Sequence, residues 1–187
     1  MFGGLRLVQG SSLVTRFRTH NTAGLLALLA IELPRSHARD ALVELLWPDA
    51  EVEAGRAYLR TTLSYLRRLL EPPGVPYNHV LIADRSTVRL DPGAVTTDVS
   101  EFAAAREAAH QAKDPAAEIR LLSSSARLYA GDLLSGFFDE WALAVRRRFA
   151  DAYVHTLKRL VRLLAEERDY PAAIEYAQRI LESQRNS

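Results

Sequence analysis

One stretch of the sequence, residues 52–71, carries side chains whose types and spacing suggest chemistry. It contains no acidic residue between Glu53 and Glu71. At 3.6 residues per helical turn, its basic and hydroxyl-bearing residues fall on one arc. They are Arg56, Arg60, Thr61, Ser64, Tyr65, Arg67 and Arg68. Arginine can bond guanine edges or phosphate oxygens in pairs, serine and threonine can bond either, and tyrosine reaches phosphate. The arc therefore predicts a helix that reads the major groove of double-stranded DNA.

A plainer interpretation of the same arc is a solvated helix face. Arginines on such a face are commonly paired with acidic residues three or four positions away. No glutamate or aspartate interrupts this arc, so we expect its arginines to be unpaired. The absence of acidic residues favours binding to a polyanion over the plain solvated face.

The remaining residues of the first half predict the elements that position this helix. Leucines 59, 63, 66 and 70 form a stripe opposite the arc and predict packing on two earlier helices. Those helices are predicted at 22–33 and, capped by Ser36, up to Trp47 and Pro48. Short strands are predicted at 5–8 and 13–17, and a hairpin at 79–83 and 87–90 has Arg85 at its tip. The arrangement is typical of a helical DNA-binding domain followed by a β-hairpin.

The second half is alanine-rich and predicts helices only. They are expected at 98–112, 115–130, 139–168 and 171–183. Residues 112–119 read AKDPAAEI and residues 167–174 read ERDYPAAI, a similarity that indicates a helical repeat. The arginines at 146–148 are adjacent and fan around their helix, so they predict no flat basic patch. We therefore expect a mainly α protein with a small β sheet, divided into domains 1–97 and 98–187.

Composition and missing motifs narrow the function further. The formal net charge is +1, so a nucleic-acid function depends on where the charges lie. No apolar run approaches the roughly 20 residues of a membrane span, which predicts a cytoplasmic protein with no membrane partner. The chain has no cysteine and no closely spaced histidine pair, so we expect no metal and no cofactor. No phosphate-binding glycine loop is present, and the sequence predicts that the chain is not an enzyme.

Two long segments resemble a known family. Residues 25–50 read LLALLAIELPRSHARDALVELLWPDA, and residues 55–71 read GRAYLRTTLSYLRRLLE. They resemble the OmpR/PhoB-type winged helix-turn-helix as it occurs in the Streptomyces antibiotic regulatory protein family. Residues 127–149, RLYAGDLLSGFFDEWALAVRRRF, resemble the tetratricopeptide-like bacterial transcriptional activator domain, and TTDVSEF at 96–102 resembles the usual junction. The resemblance covers roughly residues 4–183.

The resemblance implies a transcriptional regulator, typically an activator that binds direct repeats and contacts RNA polymerase. It places Arg60, Thr61, Ser64, Arg67 and Arg68 on the recognition helix and Arg85 in the wing. The chain departs from the family at Tyr65, where a basic residue is common, so one phosphate contact is expected to be altered. The first sheet looks shorter than the family's, and the activator domain is expected to be a shortened form.

A second hypothesis remains open beside the DNA-binding regulator. The helical half would then be a tetratricopeptide-like protein-interaction module, and the winged helix would have lost DNA binding, since fold alone does not fix function. The acid-free arc from Arg56 to Arg68 discriminates between them, because an interaction scaffold does not need it. The operator, the effector and the choice between monomer and homodimer are left open by the sequence.

Overall fold

The computed structural model describes residues 1–185, and these form seven helices and five strands. The chain is mainly helical, with its strands in two small sheets. It divides into two compact units. One is Leu5–Thr97, and the other combines Met1–Gly4 with the segment from Asp98 onwards.

The unit Leu5–Thr97 contains all five strands and three of the helices found in the described residues. A two-stranded antiparallel sheet comes first, and a three-stranded antiparallel sheet has the order β3-β5-β4. The elements in chain order are β1 (Leu7–Gln9), β2 (Ser12–Val14), α1 (His20–Ile31), β3 (His37–Ala38), α2 (Arg39–Leu46), α3 (Val52–Leu70), β4 (Leu81–Ala83) and β5 (Thr87–Leu90).

Helix α1 forms the core of this unit because almost every residue in it is apolar. Its residues from Thr22 to Ile31 are all buried. The Thr19 hydroxyl accepts a hydrogen bond from the Thr22 amide at 3.1 Å and so caps the helix. The four leucines predicted to form a stripe on α3 are buried as well. Their burial leaves the opposite side of α3 toward solvent.

The start of α2 differs from the prediction. Ser36 does not cap this helix, because residues 37–38 form strand β3 before the helix begins at Arg39. His37 pairs with Val88 and Ala38 with Thr87 of β5. The N-cap position is Ala38, which has no side chain capable of capping. Strand pairing with a distant part of the chain therefore overrides the local capping signal.

The second unit contains four helices in its described residues. They are α4 (Asp98–Gln111), α5 (Pro115–Leu128), α6 (Glu140–Glu166) and α7 (Tyr170–Arg185). Each helix packs on the next along the chain. Asp114 caps α5 through the amides of Ala116 and Ala117, ahead of a proline in the first turn. Arg159 of α6 makes a two-pronged ion pair with Glu118 of α5.

Residues Met1–Gly4 belong to this helical unit, which corrects their predicted place in a domain 1–97. The Phe2 side chain is fully buried. Its ring centroid lies 5.4 Å from that of Phe102 and 5.8 Å from that of Phe149. The Gly3 amide donates to the Asp132 carbonyl at 3.0 Å. Burial of the Phe2 ring among other aromatic rings holds this segment in place. The sequence of these four residues does not indicate that their partners lie so far along the chain.

No helix within residues 1–185 is both long enough and apolar enough to cross a membrane.

Candidate nucleic-acid interface

The exposed side of α3 is organised around three side chains that follow one another at intervals of four residues. Arg60, Ser64 and Arg68 are exposed and lie along one line of the helix. Thr61 is exposed beside them, about 100° around the helix from Arg60. The buried leucine stripe on the other side fixes the rotation of α3 against its unit. These four residues thus belong to a polar face on the side of α3 that points away from the core.

The two central arginines are not engaged by the protein itself. Within residues 1–185, Arg60 and Arg68 have no hydrogen bond, ion pair or ring contact. A guanidinium without internal partners keeps its five N–H donors available for an external acceptor. Ser64 likewise keeps its hydroxyl free of partners in this part of the chain. The centre of the face can therefore present a fork of donors to base edges or phosphates.

Arg67 is in a different situation, because a loop after α3 folds back over it. Its Nη1 donates to Glu71 Oε2 at 2.8 Å, and its Nη2 donates to Asn78 Oδ1 at 2.9 Å. The guanidinium carbon lies 4.0 Å from the Tyr77 ring centroid, a cation–π contact. Only 15% of the side chain is exposed. The predicted DNA contact at Arg67 is therefore replaced by contacts within the unit.

Glu71 is the residue that binds Arg67, and it also organises the loop. Its carboxylate accepts hydrogen bonds from the amides of Asn78, Val80 and Leu81 at 3.2, 2.9 and 2.9 Å. Burial alone would raise the pKa of Glu71, but these amides and Arg67 outweigh it and hold that pKa below its usual value. Its position four residues after Arg67 was the sequence signal for this pair.

Arg56 is also paired, at the surface. Its Nε donates to Asp40 Oδ1 at 3.2 Å, and its Nη1 donates to Glu53 Oε1 at 3.0 Å. Both acidic groups raise the pKa of Arg56, Asp40 through its hydrogen bond most of all. The expectation of unpaired arginines is thus wrong at Arg56 and Arg67. The sequence of α3 contains no signal for the partner Asp40, because Asp40 lies on α2.

Tyr65 and Thr61 line a cleft at one margin of the α3 face. The cleft has a volume of about 460 Å³ and lies between the start of α1, Trp47 and α3. Thr61 Oγ1 donates to the Ala57 carbonyl at 3.0 Å, which leaves its oxygen able to accept. The lining residues are Arg18, Thr19, His20, Asn21, Thr22, Trp47, Tyr58, Thr61, Thr62 and Tyr65. None of them is acidic.

The tip of the β4–β5 hairpin presents Arg85. The turn is held by Asp84, whose carboxylate accepts from the Ser86 and Thr87 amides at 2.7 Å each. These amides, followed by the Ser86 and Thr87 hydroxyls, lower the pKa of Asp84 to about 2. Arg85 is exposed and has no bonded partner among the described residues. A rigid turn thus holds a free cation at the hairpin tip.

The predicted site residues therefore separate into three sets. Arg60, Ser64 and Arg68 share the open centre of the α3 face, with Thr61 and Tyr65 at its cleft margin. Arg56 and Arg67 are paired at the other margin. Arg85 lies on the separate hairpin. Among residues 1–185 no cluster of three or more histidine or acidic side chains is placed to hold a metal ion.

No known family model matches this chain, and no curated protein matches it in sequence.

Proposed function

We propose that this chain is a sequence-specific double-stranded DNA-binding transcriptional regulator that reads the major groove with α3. In this proposal Leu5–Thr97 is a winged helix-turn-helix, with α2 and α3 as its helix pair and β4–β5 as its wing. The helical unit is a tetratricopeptide-like activator module. The resemblance to the Streptomyces antibiotic regulatory proteins supports an activator that binds direct repeats and contacts RNA polymerase.

The observation that carries the proposal is the open centre of the α3 face. Arg60 and Arg68 are eight residues apart, about 12 Å along a helix that rises 1.5 Å per residue. A major groove about 12 Å wide admits such a helix, and each arginine fork can bond the two acceptors of a guanine edge. Serine and threonine between them supply further donors.

Selection from a random duplex pool tests the proposal directly. The purified chain is incubated with the pool at two salt concentrations, and bound duplexes are sequenced. We expect a recurring motif, repeated along the duplex, with an affinity that falls steeply as salt rises because phosphate contacts release counterions. Failure of the chain to bind any duplex at low salt would contradict the proposal.

Single substitutions then test whether α3 is the helix that recognises the DNA sequence. Arg60→Ala is expected to reduce specific affinity by about 1 to 3 kcal/mol and to relax the preference at one base position. Arg120→Ala is the matched control, because it removes the same charge from an exposed arginine of the helical unit. Circular dichroism checks that both variants keep their helix content. Equal specific affinity in wild type, Arg60→Ala and Arg68→Ala would refute the assignment.

The second candidate is a protein-interaction module, favoured by one observation on α7. Tyr170, Ile174 and Leu181 of this helix are exposed to 58, 58 and 62%. Apolar residues at intervals of four and seven positions lie on one side of a helix. Under this hypothesis the chain binds a protein partner through α7 and binds no DNA. The same duplex selection distinguishes the two candidates, since only the regulator yields a motif.

A further inference from the structure

The two margins of the α3 face differ in charge. Taking Arg60 as the reference, Arg67 and Arg56 lie about 20° and 40° to one side, and Thr61 and Tyr65 lie about 100° and 140° to the other. At the first margin Asp40, Glu53 and Glu71 neutralise the two arginines. At the second margin lies the cleft, whose ten lining residues include Arg18 and no acid. Charge therefore favours an anion more strongly at the cleft margin than at the first margin.

The polar groups at the start of α1 are already used by the protein, with one exception. Thr19 accepts from the Thr22 amide at 3.1 Å, and the Asn21 side-chain amide donates to the Leu46 carbonyl at 2.7 Å. Arg18 is exposed and forms no hydrogen bond or ion pair within residues 1–185. It is therefore the free cation of the cleft.

The dimensions of DNA connect this cleft to the reading face. A helix with its side chains is about 10–12 Å across, and it fills a major groove about 12 Å wide. The margins of an inserted helix consequently meet the two sugar–phosphate backbones that border the groove. Thr61 and Tyr65 line the cleft and also border the face, so the two surfaces are continuous.

We propose that the cleft between the start of α1 and α3 seats the sugar–phosphate backbone of one DNA strand, with Arg18 bound to a phosphate. The inference rests on the proposed function and adds to it a backbone contact outside α3. The apolar rings of Tyr58 and Tyr65 pack on deoxyribose, and the Thr61 oxygen and the Tyr65 hydroxyl lie beside the phosphate. Arg18 positions the duplex without reading its bases, as phosphate contacts do.

Affinity and its salt dependence test this contact with the full chain and its selected duplex. Arg18→Ala is expected to weaken binding about tenfold, equally for selected and unrelated duplexes, and to reduce the slope of log affinity against log salt by about 1. Tyr65→Phe, which keeps the ring and removes the hydroxyl, is expected to weaken binding less. Arg120→Ala controls for the loss of one positive charge from the protein as a whole.

Phosphate ethylation interference locates the contact on the duplex. With wild type, ethylation is expected to interfere on both strands, and with Arg18→Ala the interference is expected to vanish at one phosphate position on a single strand. Inorganic phosphate up to millimolar concentration should not compete, because the seat is shaped for a strand held by α3.

The outcomes separate this inference from the proposed function. Wild-type affinity and an unchanged salt slope in Arg18→Ala, together with weakened binding in Arg60→Ala, would refute the backbone seat and leave the regulator intact. An equal loss in Arg18→Ala and Arg120→Ala would also refute it, since a general charge effect would explain both. Absence of duplex binding by wild type would overturn the regulator, and the backbone seat with it.

Discussion

Arginines cluster in two helices of this protein, and the structure treats the two clusters in the same way. On α3, Arg67 is folded into its unit, whereas Arg60 and Arg68 are left exposed and unpaired in the described chain. On α6, Arg146 donates to the carbonyls of Leu133, Leu134 and Phe137 at 2.8, 2.6 and 2.7 Å, while Arg147 and Arg148 are exposed. Among Arg60, Arg67 and Arg68, and again among Arg146, Arg147 and Arg148, one arginine is structural and two are exposed.

The difference between the clusters lies in the kind of partner that captures the structural arginine. Arg67 is held by a carboxylate, which itself binds three backbone amides of the following loop. Arg146 is held by three backbone carbonyls of the preceding loop. The exposed arginines also differ in spacing, because Arg60 and Arg68 are eight residues apart, about 12 Å along α3, whereas Arg147 and Arg148 are adjacent in sequence. Sequence spacing therefore sets how the arginines that the fold leaves exposed are arranged on each helix.

The largest effect is expected when the carboxylate partner of the first cluster is removed. Glu71→Ala leaves three amides and one guanidinium without their acceptor in a site where the Glu71 side chain is 2% exposed. We expect the unit Leu5–Thr97 to lose about 4 kcal/mol of unfolding free energy. Urea denaturation followed by Trp47 fluorescence in a Trp141→Phe background measures it, since Trp141 belongs to the other unit. A loss below about 1 kcal/mol would mean that the loop does not depend on this carboxylate.

A smaller but still large effect is expected at the second structural arginine. Arg146→Ala removes the donors of three loop carbonyls and should destabilise the helical unit by about 3 kcal/mol. Arg147→Ala is the matched control, expected to change stability by less than about 0.5 kcal/mol. Trp141 fluorescence in a Trp47→Phe background reports on this unit. Equal stability of the two variants would show that the carbonyl contacts contribute nothing.

The next prediction compares Arg67 and Arg60 of α3 in two assays. One assay measures the stability of the unit, and the other measures its affinity for duplex DNA. Arg67→Ala should reduce the stability of its unit by about 2 kcal/mol, because Glu71 and Asn78 lose a donor. Arg60→Ala should leave stability within about 0.5 kcal/mol of wild type and act on DNA affinity instead. Measuring urea midpoint and duplex affinity for both variants tests this separation. If Arg60→Ala were the destabilising variant, the division into structural and free arginines would be wrong.

The smallest effect concerns pH. Glu71 has a lowered pKa in the folded chain, so its contribution to stability is fully present above the ordinary glutamate pKa. That contribution declines as the pH falls from that value through the lowered folded pKa, because over this range the unfolded chain binds a proton that the native carboxylate does not. Glu71→Gln, which cannot titrate, should show a shallower loss of stability over this acidic range. Identical pH profiles would exclude Glu71 as a source of the dependence.

A feature of the fold could be predicted from the sequence where the residues that determine it lie close together in the chain. The leucine stripe of α3 was readable from spacing, and the structure confirms its burial. The failures at Ser36 and at Met1–Gly4 share a cause. In both, the deciding partner lies far along the chain, at Val88 for His37 and at Phe102 and Phe149 for Phe2.

By itself, the sequence of this protein determined which residues form a basic, hydroxyl-rich arc and that the opposite leucines must turn the arc outward. Only the tertiary structure decided which arginines of the arc remain free. Asp40 reaches Arg56 from another helix, and the loop carrying Asn78 closes over Arg67. The cleft with Arg18 also exists only because α1 and α3 are brought together. Helical periodicity acts within a few residues, whereas the pairing of charges depends on distances that only packing sets.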